Sequence, residues 1–271
     1  MDLYKQQFEK ACEHFFGEQT AAAGKPTFRM VFASPGAGKT SILKPLFQKE
    51  AKDGENPIML EFDEIKAFVP KNPNKKQRMS FSDKLFADLV EKAIEEKRSI
   101  NIFRPSTMRH PTQAFALYKK AKDKGYNTEA AFLAVDKRKS RLGILYRYEK
   151  ALENGINSIA NYPRPPKLLY HYLYFKAIPF IVQSCDRHRE VDVVRVFDRS
   201  GNLIAFNNKI TNEKSKTSPR KALASERKRK WSEEEQTEHC EKSAEIKKLQ
   251  SKRTLSLNEI MTTKLALKNR R

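Results

Sequence analysis

The glycine-rich stretch VFASPGAGKT, residues 31–40, carries the residue types of a phosphate-binding loop. In such a loop, successive backbone N–H groups turn inward, and the following helix directs its positive end at the bound phosphates. Two glycines permit that backbone path, a lysine reaches the β- and γ-phosphates, and a threonine hydroxyl binds Mg²⁺. We therefore predict a nucleotide site at Ser34, Pro35, Gly36, Ala37, Gly38, Lys39, Thr40 and Ser41, with Thr40 as the metal ligand.

One residue departs from the usual pattern G-x-x-x-x-G-K-[ST], because Ala33 stands where the first glycine is expected. That position mainly needs room where the strand turns, and alanine is the smallest alternative to glycine. A helix start without a ligand would also place a lysine and a threonine here. The nucleotide site is favoured because the motif lies directly between a predicted strand and a predicted helix.

Transfer of a phosphoryl group also needs a carboxylate near the γ-phosphate. Asp63 lies in LEFDEIK, at the carboxyl end of the second predicted strand. In a doubly wound sheet this end faces the ligand crevice. Asp63 could accept a proton from a substrate hydroxyl or hold a metal-bound water, whereas its purely structural alternative is a helix N-cap.

The elements around these residues alternate between strands and helices. The strands TFRMVFA, NPIMLEF, SINIF and TEAAFLAVD are each followed by a helical pattern, and VDVVRVFDRSGNLIAF predicts a hairpin. The helix KRKSRLGILYRYEKALENG is expected to be broken by Gly143. This alternation predicts an α/β fold with a P-loop kinase-like parallel sheet flanked by helices.

Composition divides the chain into three predicted parts. Residues 1–25 read as an N-terminal helix and linker, 26–211 as the kinase domain, and 212–271 as a basic, charged tail. The tail is predicted to be helical or disordered and to form no core, because it is almost entirely charged or polar.

The 271 residues carry a net charge of +21, which predicts attraction to polyanions such as nucleic acid or phosphorylated ligands. The three cysteines are far apart and indicate neither a disulfide framework nor a zinc site. The sequence shows no secretory signal and no apolar run long enough to be a transmembrane segment. A reducing bacterial cytoplasm is the expected setting.

Several stretches, in the same order along the chain, resemble the zeta toxins, kinases of bacterial toxin–antitoxin systems. The resemblance runs from about residue 28 to residue 206. It rests on SPGAGKTS, on LEFDEIK, on KGYNTEAAFLAV followed by SRLGILYRYE, and on VFDRSGNLI. Of these, the KGY strand entry followed by the serine, glycine and RYE at this spacing is the most specific.

This resemblance implies an ATP-dependent kinase that phosphorylates a sugar hydroxyl of UDP-N-acetylglucosamine. It implies that Lys39 contacts the phosphates, that Asp63 is the base and that Arg147 stabilises negative charge on the phosphates. An antitoxin protein that covers the ATP cleft is the implied partner.

The acceptor side departs from the family pattern. The family usually has a glutamate at the end of the third strand, where this chain has NIFRPSTMR. We expect Glu61, Arg104, Thr107 and Arg109 to face the acceptor, and the exchange of an acid for cations could suit a more anionic acceptor, such as another nucleotide. Two other functions stay open: a nucleic-acid-associated P-loop ATPase or polynucleotide kinase that binds through the basic tail, and an inactive interaction module of the same fold.

Overall fold

The computed structural model describes residues 2–17, 24–51, 56–70, 74–103, 111–154 and 168–267. The strands in these segments are β1 (Thr27–Phe32), β2 (Ile58–Glu61), β3 (Ile100–Phe103), β4 (Asn127–Leu133), β5 (Val193–Phe197), β6 (Leu203–Asn208) and β7 (Glu213–Lys214). The α-helices are α1 (Leu3–Phe16), α2 (Lys39–Lys49), α3 (Phe62–Ile65), α4 (Lys75–Glu95), α5 (Pro111–Asp123), α6 (Lys137–Glu153), α7 (Leu168–Arg187), α8 (Pro219–Glu226), α9 (Glu233–Gln250) and α10 (Leu257–Leu267). No helix in the described segments combines the length and the apolar character needed to cross a bilayer.

The strands form one sheet in the order β2-β3-β1-β4-β5-β6-β7. The five strands from β2 to β5 in this order are parallel, whereas β6 and β7 run antiparallel to their neighbours. The central strand β1 is buried on both faces, as a parallel strand covered on both sides must be. The predicted α/β class with a hairpin at β5–β6 is confirmed, and the carboxyl ends of the parallel strands share one edge of the sheet.

Each face of the sheet carries its own core. Side chains of α1, α4, α5, α7 and α8 pack on one face, where Phe28 meets the ring of Tyr118. On the other face, α2 packs through Leu43 and Phe47, and the Phe47 ring lies 5.8 Å from that of Phe197. Because α2 begins at the phosphate loop, these buried contacts hold the loop at the ligand-binding edge of the sheet.

The C-terminal segment is helical, but the expectation that it forms no core is wrong. Leu223 of α8 is fully buried in the main core. Helices α9 and α10 pack on α6, where Ile246 and Ala266 cover Leu142 and Leu145. A few apolar residues at helical spacing are sufficient for this contact, and the many charges between them conceal it in the sequence. The boundaries of the three predicted parts stay predictions.

Candidate active site

The phosphate loop between β1 and α2 depends on two glycines with positive φ. Gly36 has a φ of 75° and Gly38 a φ of 88°, in the left-handed region that L side chains rarely adopt. The Ala37 N–H donates to the Ser34 carbonyl at 3.1 Å and closes the turn. The N–H groups of both glycines and of the first two residues of α2 have no backbone partner among the described residues. They are therefore available to a bound anion.

Ala33 is compatible with this loop. Its side chain packs against the core cluster on the α2 face of the sheet. Ala33 is also not among the residues with positive φ. The backbone therefore does not require the glycine of the usual pattern at this position.

The side chains of the first three residues of α2 differ in their contacts. Burial lowers the pKa of the Lys39 ammonium, while the nearby Asp63 carboxylate raises it. The Thr40 hydroxyl is partly exposed and makes no hydrogen bond within the described segments, which leaves its oxygen open to a ligand. Ser41 Oγ instead donates to the Gly38 carbonyl at 3.0 Å and so stabilises the loop itself.

Helix α6 packs directly on the phosphate loop at a glycine. A Cβ added to Gly143 would lie 2.3 Å from the Gly36 carbonyl oxygen, and one added to Gly36 would lie 2.2 Å from the Ser140 carbonyl oxygen. The predicted helix break at Gly143 is wrong, because α6 runs unbroken from Lys137 to Glu153. Arg147 follows Gly143 by one helical turn, so its exposed side chain lies on the helix face that meets the loop.

Asp63 lies in α3, directly after β2, and its side chain is 56% exposed. The carboxylate forms an ion pair with Lys66. Partial burial raises the pKa of Asp63, but Lys66, Lys39 and Arg147 together lower it below its ordinary value. Asp63 is therefore ionised at neutral pH, and it lies within electrostatic reach of both predicted catalytic cations.

The structure describes only some of the residues that we predict to face the acceptor. The Glu61 carboxylate accepts a hydrogen bond from Lys44 Nζ at 2.6 Å, which ties it to helix α2. Arg104, Thr107 and Arg109 lie outside the described residues. Strand β3, which precedes them, ends at the same edge of the sheet as the phosphate loop.

An open pocket of about 310 Å³ extends from the phosphate loop to α9. Its far wall consists of charged residues that the sequence reasoning missed: Lys139, Arg199, Glu235 and Glu238. Lys139 pairs with Glu235, and Arg199 Nη2 lies 3.0 Å from Glu238 Oε1. In the sequence, α9 shows only high charge, so nothing there indicated that its carboxylates would border a pocket at the phosphate loop.

Arg227 is a second residue that the sequence reasoning missed. It follows α8 and is 7% exposed. Its Nη2 donates to Ser34 Oγ in the phosphate loop at 3.3 Å, across 193 positions of sequence. In the sequence it lies in ERKRK, where a basic run gives no sign that one arginine is buried.

Metal binding in this region would rest on few protein ligands. The described segments contain no group of three or more His, Cys, Asp and Glu side chains that could hold a metal ion. A phosphate-loop Mg²⁺ needs no such group, because most of its oxygen ligands are water and substrate phosphates. The open Thr40 hydroxyl beside Lys39 and the ionised Asp63 carboxylate near Lys39 are compatible with that arrangement.

Solved structures share this fold. One, from work on the PezAT chromosomal toxin–antitoxin system of Streptococcus pneumoniae, has a TM-score of 0.75 and 16% identity, covering 91% of this chain and 96% of that chain. The AvrRxo1-ORF1:-ORF2 crystal structure with ATP has a TM-score of 0.60 and 13% identity, covering 97% and 89%. The same complex with sulphate ions has a TM-score of 0.57 and 13% identity, covering 98% and 83%. At these identities the likeness shows a common fold.

Comparison of the sequence with known families identifies the family of this chain. No curated protein matches it, but the profile of the zeta toxin family matches residues 13–211. That span contains the phosphate loop, Asp63 and Arg147, and the structure brings these three features to one edge of the sheet. The resemblance indicated by the sequence motifs is confirmed: this chain belongs to the zeta toxin family.

Proposed function

We propose that this chain is an ATP-dependent kinase that transfers the γ-phosphate to a sugar hydroxyl of UDP-N-acetylglucosamine or a related nucleotide-linked acceptor. The observation that carries the proposal is the electrostatic coupling of Lys39, Asp63 and Arg147 beside an open phosphate loop. Phosphoryl transfer depends on such a set: a cradle, cations on the phosphates and a carboxylate for the acceptor. The kinase-like family and the ATP named for one structural neighbour support it.

Each residue has a distinct role in this proposal. The loop N–H groups and Lys39 hold the donor phosphates, and Arg147 stabilises the negative charge that spreads over the transferring group. Asp63 takes the proton of the acceptor hydroxyl as its oxygen bonds to phosphorus and the bond to the ADP oxygen breaks. A carboxylate with a lowered pKa is ready for this role, because it is unprotonated at neutral pH.

Mg²⁺ would be held by Thr40 and by the donor phosphates, with the negative charge of Asp63 near Lys39. When bound, the metal neutralises charge on the phosphates and so favours transfer. Thr40→Val tests this placement, because it keeps the shape of the side chain and removes the oxygen. We expect the Mg²⁺ concentration for half-maximal activity to rise, with little change in thermal stability.

The experiment that tests the proposal incubates the purified chain with γ-labelled ATP and a panel of acceptors: UDP-N-acetylglucosamine, other nucleotide sugars, dinucleotides and 5′-hydroxyl oligonucleotides. We expect label in a nucleotide-sugar product from the parent and none from Lys39→Met. Lys49→Met is the matched control, because Lys49 is an exposed lysine at the other end of α2. Label transferred equally by the parent and Lys39→Met would refute the proposal.

The oligonucleotides in this panel address a second function. The net charge of +21 favours binding to a polyanion, so a polynucleotide kinase would label the oligonucleotide and lose activity steeply with salt. Transfer to a nucleotide sugar alone excludes it.

We also propose that an antitoxin protein binds this chain over its nucleotide cleft. The support comes from the neighbours, which are described as a toxin–antitoxin system and as a two-component complex. Co-expression with the product of the adjacent gene should restore growth if that product is the antitoxin. Growth arrest by the parent and by Lys39→Met alike would show that toxicity does not depend on the phosphate loop.

A further inference from the structure

Two arginines near the phosphate loop have no carboxylate partner. Arg227 is 7% exposed and donates to the Phe175 carbonyl at 2.9 Å and to Ser34 Oγ at 3.3 Å. Arg141 is partly buried and makes no ion pair within the described segments. In both guanidinium groups, Nε is buried and unpartnered. Removing such a cation from water without a counter-ion is costly, so an uncompensated positive charge here needs a reason.

Other buried or partly buried arginines of the sheet do have acids beside them. Arg29, which is 9% exposed, has Nε 2.9 Å from Glu129 Oε1, and the Nε of the partly buried Arg195 lies 2.7 Å from the same oxygen. Burial therefore does not by itself leave arginines unpaired in this chain. Arg227 has no carboxylate partner among the described residues, although it is as buried as Arg29.

His171 lies within electrostatic reach of both arginines. It is 1% exposed, with Nε2 at 2.8 Å from Ser140 Oγ and with Nδ1 buried and unpartnered. Burial lowers its pKa to about 4, and the charges of Arg141, Lys137 and Arg227 lower it in the same direction. The Ser140 hydroxyl can donate its one proton either to the Lys137 carbonyl at 3.2 Å or to His171 Nε2. When it donates to Nε2, Nδ1 carries the ring proton and can donate to an anion.

The contacts connect this group to the phosphate loop at two points. The Phe175 ring stacks on His171 at 6.0 Å and lies 4.1 Å under the Arg227 guanidinium. Arg227 reaches Ser34 at one end of the loop, and the carbonyl of Ser140 lies against Gly36. The unpaired cations are therefore immediate neighbours of the place where donor phosphates would bind.

Two stretches that lie outside the described residues have cations and no acids in their sequence. Residues 104–110 follow β3 along the chain, and residues 155–167 come between α6 and α7 along the chain. Neither stretch contains an aspartate or a glutamate, and together they carry Arg104, Arg109, Arg164 and Lys167. No carboxylate from these stretches can neutralise the arginines.

We propose that Arg141, His171 and Arg227 form an anion subsite beside the phosphate loop, and that it takes a phosphate group of the acceptor. This inference rests on the proposed kinase function, in which Lys39 and the loop N–H groups already hold the donor phosphates. An enzyme with this subsite selects acceptors that carry their own phosphate or diphosphate and discriminates against the same sugar without it.

The test measures binding of inorganic pyrophosphate by calorimetry. The full chain is first saturated with a non-hydrolysable ATP analogue and excess Mg²⁺, so that the phosphate loop is filled. The parent should bind pyrophosphate, and Arg141→Met and Arg227→Met should each weaken binding at least about tenfold, as expected for a lost charge-assisted contact. Arg220→Met is the matched control, because this exposed α8 arginine contacts Gln183 and has no contact with the loop.

Equal pyrophosphate affinity in the parent and in Arg141→Met would overturn the subsite. Arg141→Met remains decisive should Arg227→Met fail to fold, because Arg141 makes no hydrogen bond within the described segments. Binding of the ATP analogue should be the same in Arg141→Met as in the parent, which shows that the donor site is intact.

A second measurement separates this inference from the proposed function. Phosphate transfer is compared between UDP-N-acetylglucosamine and N-acetylglucosamine, which share the acceptor hydroxyl. The subsite predicts a strong preference for the diphosphate-bearing acceptor and a raised KM for it in Arg141→Met. Transfer with an unchanged KM would refute the subsite and leave the kinase standing. Variant-sensitive pyrophosphate binding without any transfer would refute the kinase and leave the subsite standing.

Discussion

Replacing Gly143 by alanine should impair nucleotide binding far more than it impairs folding. A Cβ at this position would lie 2.3 Å from the Gly36 carbonyl oxygen, whereas ordinary contacts begin near 3.4 Å. The loop or α6 must therefore move by about 1 Å. In a helix interior, alanine is favoured over glycine by about 1 kcal/mol, and overpacking costs about 1–3 kcal/mol. The free energy of unfolding should consequently fall by no more than about 2 kcal/mol.

The effect on the donor site should be larger because the displaced atom belongs to the loop itself. A misplacement of about 1 Å can reduce the rate of an enzyme by about a hundredfold. We expect the Kd for a fluorescent ATP analogue to rise at least about tenfold, and the rate of phosphate transfer to fall further. Calorimetric unfolding of the same sample gives the change in stability.

Gly24→Ala is the matched control, since an added Cβ at Gly24 has nothing within 4 Å and its φ is not positive. This variant should bind the ATP analogue as the parent does. Parent-like nucleotide affinity in Gly143→Ala would refute the reasoning, because it would show that α6 need not contact the loop this closely.

Four further predictions follow from the described side chains. Asp63→Asn should lower kcat by about 10²–10⁴-fold without unfolding the protein. Because the pKa of Asp63 lies below 3.8, protonation of Asp63 should lower the parent rate only below that pH. A fall in rate near neutral pH that is caused by Asp63 would contradict its role as the base. Lys66→Ala, which removes the cation paired with Asp63, should move the acid limb that protonation of Asp63 causes to higher pH in a pH–rate profile. His171 has a pKa of about 4 in the fold against 6.5 as its ordinary value, so the unfolded chain binds a proton that the folded chain does not. The free energy of unfolding should therefore fall as pH drops from 6.5 towards 4, by at most about 3 kcal/mol. His171→Gln should reduce this pH dependence in urea unfolding at pH 4.5 and 7.5. If the variant keeps the pH dependence of the parent, His171 is not the cause of that dependence. Leu145→Ala removes a fully buried side chain between α6 and the C-terminal helices and should cost about 2–5 kcal/mol in thermal unfolding, whereas a disordered C-terminal segment would make it nearly neutral.

The donor half of the site was predictable because its signals are local. A loop that needs left-handed backbone has to carry glycines, and Gly36 and Gly38 show this directly in the sequence. Asp63 could be placed from the alternation of strands and helices, since the carboxyl end of a parallel strand faces the crevice. The parallel sheet follows from the same alternation, and the hairpin follows from the two alternating strands on either side of DRSGN.

The parts that could not be predicted depend on contacts between distant residues. Gly143 has the same appearance in the sequence whether it breaks a helix or lets two backbones approach, and only the position of Gly36 decides between these. Arg227 and Glu235 lie in charged runs that are usually exposed, and their burial depends on where α8 and α9 pack. The composition of a segment predicts the average exposure of its residues, and Arg227 and Glu235 differ from that average in their own segments.

The hydrogen bond between Ser34 and Arg227 has a consequence for protein synthesis. Ribosomes add residues from the N-terminus, so the phosphate loop leaves the exit tunnel while most of its supporting residues have not been translated. The loop acquires its arginine contact only after residue 227 has emerged, 193 positions later. Nascent chains and fragments that stop earlier lack this contact. This delay keeps the contact between the phosphate loop and its arginine out of every polypeptide that stops before residue 227.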